Sequence, residues 1–293
     1  ATSWYNETLN TATRGSRKEF PSVAVIVAES NKVTIYDGDT PDLDMWMVFD
    51  GGNDSDMIYN IFNSSLSAIK MLDGLLSTTG AGLNRISFIT DTGFYTNATS
   101  TYKYKGSIDE RNDALSVAIY DSALKLVNST VNDVAMTVLP NAPIDSTTGL
   151  PIPTIAVATN GGVSVIKDDG NVWDITGYSY DVLWVDIDEH GNMFSNGVWE
   201  QEAVVFPMPT SDTTLVSLGF QRISASTTPA FVSGGSWTRH GVYSTKEVMT
   251  FGRDDGLYIL DEKLFNWGTG LTNHITSTYN SGYMTGDIKG AWL

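Results

Sequence analysis

The sequence predicts an all-β chain, built as a β-propeller of about five blades, and three observations carry that expectation. Short runs rich in Val, Ile, Thr and aromatic residues recur between clusters of Gly, Asn and Asp, which is the pattern of strands and turns. Asn160-Gly161, Asp169-Gly170, Asn196-Gly197 and Asp255-Gly256 supply the residue pairs that tight hairpins favour. Candidate first strands begin near Pro21, Leu66, Val131, Tyr180, Phe231 and Tyr283, at intervals of 45, 65, 49, 51 and 52 residues. A repeat of that size, made of four strands, is a propeller signature. A meander β-sandwich is the alternative.

The composition suits this class. Of 293 residues 41% are hydrophobic and 11% aromatic, enough for a large core. Charged residues reach only 17%, below the roughly 25% of ordinary globular chains, and Thr, Ser, Asn and Gly take up the polar share. The net charge of −17 repels phosphate backbones and argues against nucleic acid as a partner. Without cysteine there are no disulfides, zinc–thiolate sites or thiol nucleophiles. No apolar run approaches the ~18 residues of a membrane helix, and residues 1–20 lack the apolar stretch of a secretory signal.

Residues 1–20, "ATSWYNETLNTATRGSRKEF", read as an extended polar arm ahead of a propeller domain spanning 21–293. Arg14, Arg17 and Lys18 form a tight basic cluster in an acidic chain. With Trp4 and Tyr5 they are candidates for docking the arm on a neighbouring subunit. The first group of strands is "SVAVIVAES", "KVTIYDGD" and "MWMVFDGG". "SAIKMLDG", "LLSTTG" and "LNRISFITD" make the second. "SDMIYNIFNSSL" between them suits a turn or two of helix. The stretch from Asp109 to Thr130 reads two ways. Leu115, Ile119, Ala123, Leu126 and Val127 sit near helical spacing, yet "LSVAIYDS" also fits a strand. "NDVAMTVLP" and a Pro-rich loop then lead to "TIAVATNGGVSVIKDDGNVWDI", a meander of three strands and two glycine turns. "TFGRDDGLYILDE" repeats that design. "YMTGDIKGAWL" at the end is expected to close the ring on the first blade or to begin a further one.

Chemistry is sparsely signalled. His190, His240 and His274 stand apart from one another, and the chain has no HExxH, G-x-S-x-G, phosphate-loop or Asp-box motif. In "WVDIDEHGN", Asp186 and Asp188 fall on one face of a strand by its period of two. They are the candidates for a Ca²⁺ site of hard oxygen ligands, or for an acid–base pair acting on glycosides. The competing reading leaves both in solvent, with Val185 and Ile187 facing the core. The expectation is therefore no catalytic residue and no cofactor. Abundant Trp and Tyr suit inter-blade packing first and sugar contact second.

"WYNETLNTATRGSRKEFPSVAVIVAESNKVTIYDGD", "VNDVAMTVLPNAPIDSTTGLPIPTIAVATNGGVSVIKDDG" and "GYMTGDIKGAWL" resemble segments of virion structural proteins of marine tailed phages. The resemblance spans most of the chain and is one of wording, with no family active site to carry over. It implies propeller-like repeats, often followed by lectin-like modules, and a chain that continues past "GDIKGA". It further implies a tail-fibre or appendage role in the virion, without enzymatic activity, in a homo-oligomer. Other tail proteins and a host-surface glycan are the implied partners. The alternatives are a virion depolymerase and a secreted sugar-binding propeller.

Overall fold

The computed structural model describes residues 2–9, 12–29, 32–50, 66–113, 117–179, 181–196, 203–223, 242–244, 248–253, 256–261 and 272–275. From residue 221 onward the description is of backbone alone. The expected helical turn in "SDMIYNIFNSSL", the closing strand "YMTGDIKGAWL" and His240 lie outside the described residues.

The strands fall into five antiparallel meanders in chain order. Sheet I holds β1 (Ala24–Glu29), β2 (Lys32–Asp37) and β3 (Met45–Asp50). Sheet II runs through β4 (Ile69–Leu72), β5 (Leu75–Thr79), β6 (Leu83–Ser87), β7 (Thr92–Thr96), β8 (Thr101–Tyr104) and β9 (Val117–Asp121). Sheet III holds β10 (Val131–Thr137), β11 (Thr154–Thr159), β12 (Gly162–Ile166) and β13 (Val172–Thr176). Sheet IV holds β14 (Val185–Ile187), β15 (Asn192–Asn196), β16 (Ala203–Pro207) and, beyond the short β17 (Thr213–Thr214), β18 (Gln221–Ile223). Sheet V is β19 (Val242–Ser244), β20 (Val248–Arg253), β21 (Gly256–Asp261) and β22 (Thr272–Ile275). Five successive up-and-down sheets are blades of a β-propeller, and the two-layer sandwich is set aside.

The core lies between blades. Val33, Ile35, Trp46 and Phe49 of sheet I meet Leu76, Ile86 and Tyr95 of sheet II. Leu83 of sheet II meets Val134, Ile155, Val157 and Ile166 of sheet III. Ala156, Val163, Val165 and Ile175 of sheet III meet Met193, Val204 and Phe206 of sheet IV. Sheet III is thus covered on both faces, and every residue of β11 and β12 is buried. That is why "TIAVAT" and "GVSVI" read as near-continuous apolar runs rather than as alternation.

The long second interval is explained by two extra strands. Its ambiguous stretch forms a 3₁₀ turn at Ile108–Glu110 and then β9, so the strand reading of "VAIYD" is the one realised. β9 is the edge of sheet II, and its residues 117–120 are exposed. Helical spacing misled there because neither face of that strand is covered. β17, from the segment between β16 and β18, joins sheet III as a parallel fifth strand beside β13, and Asp133 Oδ2 of sheet III accepts the Val185 N–H of sheet IV at 3.1 Å.

Glycine placement differs in detail from expectation. In the β11–β12 hairpin neither Asn160 nor Gly161 is left-handed. The positive φ falls one residue later, at Gly162 (136°). A Cβ there would lie 2.1 Å from the carbonyl oxygen of Ile175 on the neighbouring strand. Gly162→Ala is therefore expected to destabilise the fold by about 1–3 kcal/mol, since strained φ and a backbone clash combine. Equilibrium urea unfolding checks this, and an unchanged midpoint would refute it.

Candidate functional site

The five residues expected to form an interface are largely used within the chain. Residues 2–9 and 12–18 fold back on sheet I, and Ser3–Asn6 form a single helical turn, α1. Arg14 bridges to Met47, and the N–H groups of Gly15 and Val48 complete a ladder along the free edge of β3. Trp4 donates its indole N–H to the Phe88 carbonyl at 2.7 Å and meets Trp46 edge-on at 5.7 Å. The Arg14 side chain is fully buried, 4.5 Å above the Trp46 ring, and donates to the carbonyls of Trp46 and Lys18. With Arg14 buried and Trp4 half-buried against the chain's own first sheet, the described part of the arm is folded on the blade rather than extended. Arg17 pairs with Asp37 at 2.9 Å and Asp39 at 2.7 Å. Tyr5 and Lys18 stay near the surface, the ammonium 5.8 Å from the ring.

Two charges from far apart in sequence complete this latch. Arg111, also buried, grips Glu7 with both terminal nitrogens, at 2.8 and 3.0 Å, and donates to the carbonyls of Val48, Ile108 and Thr13. Glu7 lies 3.6 Å from Arg14 as well. Burial pushes the Arg14 guanidinium below its ordinary value, and Glu7 opposes that push.

Asp186 and Asp188, the candidate metal or acid–base pair, are not brought together as a site. Asp188 is buried at the β14–β15 turn. One of its oxygens accepts the N–H groups of His190 and Asn192, and the other accepts the Asn192 amide at 2.6 Å. Both oxygens thus close the chain's own hairpin, as Asp does in Asx turns. Asp186 accepts the Ile187 N–H at 2.9 Å. Among the described residues no group of three or more His, Cys, Asp or Glu is arranged to hold a metal ion.

The structure reveals instead a cleft of about 320 Å³ between sheets II and III, of whose lining sequence reasoning had named only Asp169-Gly170, as a turn. Its walls are Leu75, Leu124, Ile155, Ile166 and Val172, and its rim is the β12–β13 turn from Lys167 to Gly170. Arg85, Thr96 and Thr101 form its polar side. Thr101 donates its hydroxyl to the Leu124 carbonyl at 2.8 Å. Its oxygen must then accept from Thr96, 2.9 Å away, and Thr96 accepts from Arg85 Nη2 at 3.2 Å. The hydrogen-bond direction is fixed along the whole relay, which anchors the guanidinium through Nη2.

The same face of sheet II continues outward from the cleft. Cross-strand register sets Arg85 opposite Phe94, Phe94 opposite Lys103, and Lys103 opposite Ala118. Arg85 and Lys103 lie 5.7 and 5.9 Å from the Phe94 ring, and Tyr120 meets that ring edge-on at 5.0 Å. Tyr120 is 59% exposed and Lys103 is exposed. An apolar cleft with a fixed cation thus opens onto a cation–aromatic patch.

No family model matches the chain, and no curated protein does. Solved structures do. A computationally designed protein, Ika8, is 10% identical over 87% of this chain and 72% of its own, with a TM-score of 0.46. The RRP9 WD40 repeats are 11% identical over 85% of this chain and 61% of theirs, at 0.45. The β-propeller domain of Cps50 (Swd1) from Myceliophteria thermophila is 9% identical over 86% and 83%, also at 0.45. The extracellular domain of a putative one component system from B. thetaiotaomicron is matched over only 36% of its length, at 0.38. The propeller assignment rests on the order and packing of the chain's own sheets.

Two outcomes follow from the latch. Glu7→Ala leaves two buried guanidiniums without their carboxylate and is expected to cost about 3–5 kcal/mol in urea unfolding. A loss within error would refute the latch. Acid is the second lever. Arg17 and the N–H groups of Ser22 and Val23 hold the Asp39 carboxyl down at about 2. The folded state therefore gains from ionised Asp39 above roughly pH 4, its unfolded range, and loses that gain as pH falls towards 2. Asp39→Asn should flatten this part of the acid-unfolding curve, and an identical curve would contradict it.

Proposed function

We propose that the chain is a structural component of a phage virion, of tail-fibre or appendage type, which works by assembling with its neighbours and contacting the host surface. The resemblance of its wording to marine phage virion proteins supports this. So does a propeller scaffold, which holds surface residues on rigid strands. The observation that carries the contact role is the patch of Lys103, Phe94 and Tyr120 beside the cleft. Aromatic rings with one wet face and nearby cations are what surface recognition uses, and this patch stands out against a net charge of −17.

The depolymerase alternative rested on Asp186 and Asp188, and Asp188 closes its own turn. No specific observation therefore favours it. Other tail proteins and further copies of this chain are the proposed neighbours, since symmetric assembly gives multivalent contact. Among the described residues no helix is long and apolar enough to cross a membrane.

The test is binding of the purified chain to an array of cell-surface polysaccharides, with native mass spectrometry of the same sample. Glycan binding by an oligomer, weakened about tenfold by Tyr120→Ala, is expected. A monomer that binds no surface glycan would overturn the proposal.

A further inference from the structure

We infer that the cleft between sheets II and III takes a carboxylate-bearing sugar residue, with the carboxylate on Arg85 and the adjoining saccharide running along Phe94, Lys103 and Tyr120. The inference rests on the surface-contact reading and names the ligand class of that same site.

Four features of the site converge on this class. The first is the cation. Arg85 stands on the cleft wall, anchored through Nη2 by the Thr96–Thr101–Leu124 relay. A guanidinium fixed in advance suits a planar carboxylate, which it can grip through two parallel N–H bonds. Fixing it beforehand also removes an ordering cost from binding. The second is the distribution of charge along the site. Arg85 lies among buried hydroxyls, while Asp168 and Asp169 sit at the rim with Lys167. Lys167 offsets part of the rim's negative charge, and the rim carboxylates accept hydrogen bonds from the hydroxyl groups of a sugar.

The third is the lining. Leu124, Ile155 and Ile166 offer aliphatic surface to the C–H face of a sugar ring. Outside the cleft the chemistry changes to aromatic rings, with Tyr120 exposed beside Phe94, as stacking on a following ring requires. The fourth is size. About 320 Å³ is at the low end of the ~300–1,000 Å³ range of small-ligand sites, so the cleft holds a short unit while the open patch takes the continuing chain. The fixed guanidinium and Lys103 give an acidic protein a local way to hold a polyanionic glycan that its overall field disfavours.

The experiment is calorimetric titration of the full chain with an oligosaccharide of glucuronic acid, a neutral glucose oligosaccharide of equal length, and octanoate. The same titrations are run on Arg85→Lys, Arg85→Met and Lys103→Ala. The acidic oligosaccharide is expected to bind at least about tenfold tighter than the neutral one. Arg85→Met should erase that preference, and Arg85→Lys should lower it, since a point charge lacks the fork. Lys103→Ala lies on the exposed patch and leaves the core intact. It should weaken the acidic ligand severalfold and flatten the salt dependence.

Equal binding of the two oligosaccharides, indifferent to Arg85, would overturn the inference and leave the surface-contact reading standing. No binding of either would overturn the inference, while the surface-contact reading would still be decided by the polysaccharide array. Octanoate binding in the cleft with no sugar binding would overturn the sugar assignment. Thermal melts of each variant show whether a loss reflects unfolding.

Discussion

A single carboxylate, Glu7, set between two buried guanidiniums, holds the first part of this molecule together. Desolvating Arg14 and Arg111 is costly. Arg111 is tolerated because its N–H groups donate to Glu7 and to three backbone carbonyls, and Arg14 because it donates to two backbone carbonyls with the Glu7 charge 3.6 Å away. Those carbonyls belong to Thr13, Lys18, Trp46, Val48 and Ile108, so the cluster joins the N-terminal segment, β3 and the 3₁₀ turn of sheet II. Trp4, Phe20, Trp46 and Phe88 pack edge-on around it. Asp91 repeats the device nearby, accepting from Ser3 and from the Ile108 N–H. With the segment in place, β3 has its outer edge covered and the sheet I–sheet II core is sealed.

From there the structure propagates by layers. Sheets II and III each offer one face to the sheet before and the other to the sheet after, and sheet III shows the consequence most plainly. Ile155 and Val157 face sheet II while Ala156 and Ala158 face sheet IV. The cleft forms where this layering is incomplete. Toward the edge of sheet II the strands carry Arg85, Lys103 and hydroxyls rather than apolar side chains, so the blades do not seal there. Function, on this reading, occupies the gap that packing leaves.

Much of the scaffold was legible in the sequence because its signals are local. The glycine turns, the apolar runs and their spacing gave the blades and their order. Asp169-Gly170, named from the sequence as a turn, does turn the chain between β12 and β13, with the positive φ of 86° at Gly170. Where the reading went astray, the deciding contact was distant. Arg14 lies 3.6 Å from Glu7 and near Arg111, and nothing within "RGSRK" tells that this first arginine of the basic cluster is folded inward. Asp188 looked like a ligand because its hairpin partners, the backbone N–H groups, leave no mark in a sequence. Arg85 was passed over inside "LNRISFITD" as an ordinary polar position of a strand. Only cross-strand register brings it to Phe94 and Lys103, although a basic residue on a strand face otherwise due for packing was a usable hint.

The central claim is that residues 2–9 and 12–18 are part of the first blade rather than a free arm. Hydrogen exchange followed by mass spectrometry tests it most directly. The account predicts slow exchange for the amides of Gly15 and Val48, which close the ladder between the segment and β3. Exchange across residues 2–9 and 12–18 at the rate of an unstructured peptide would contradict it.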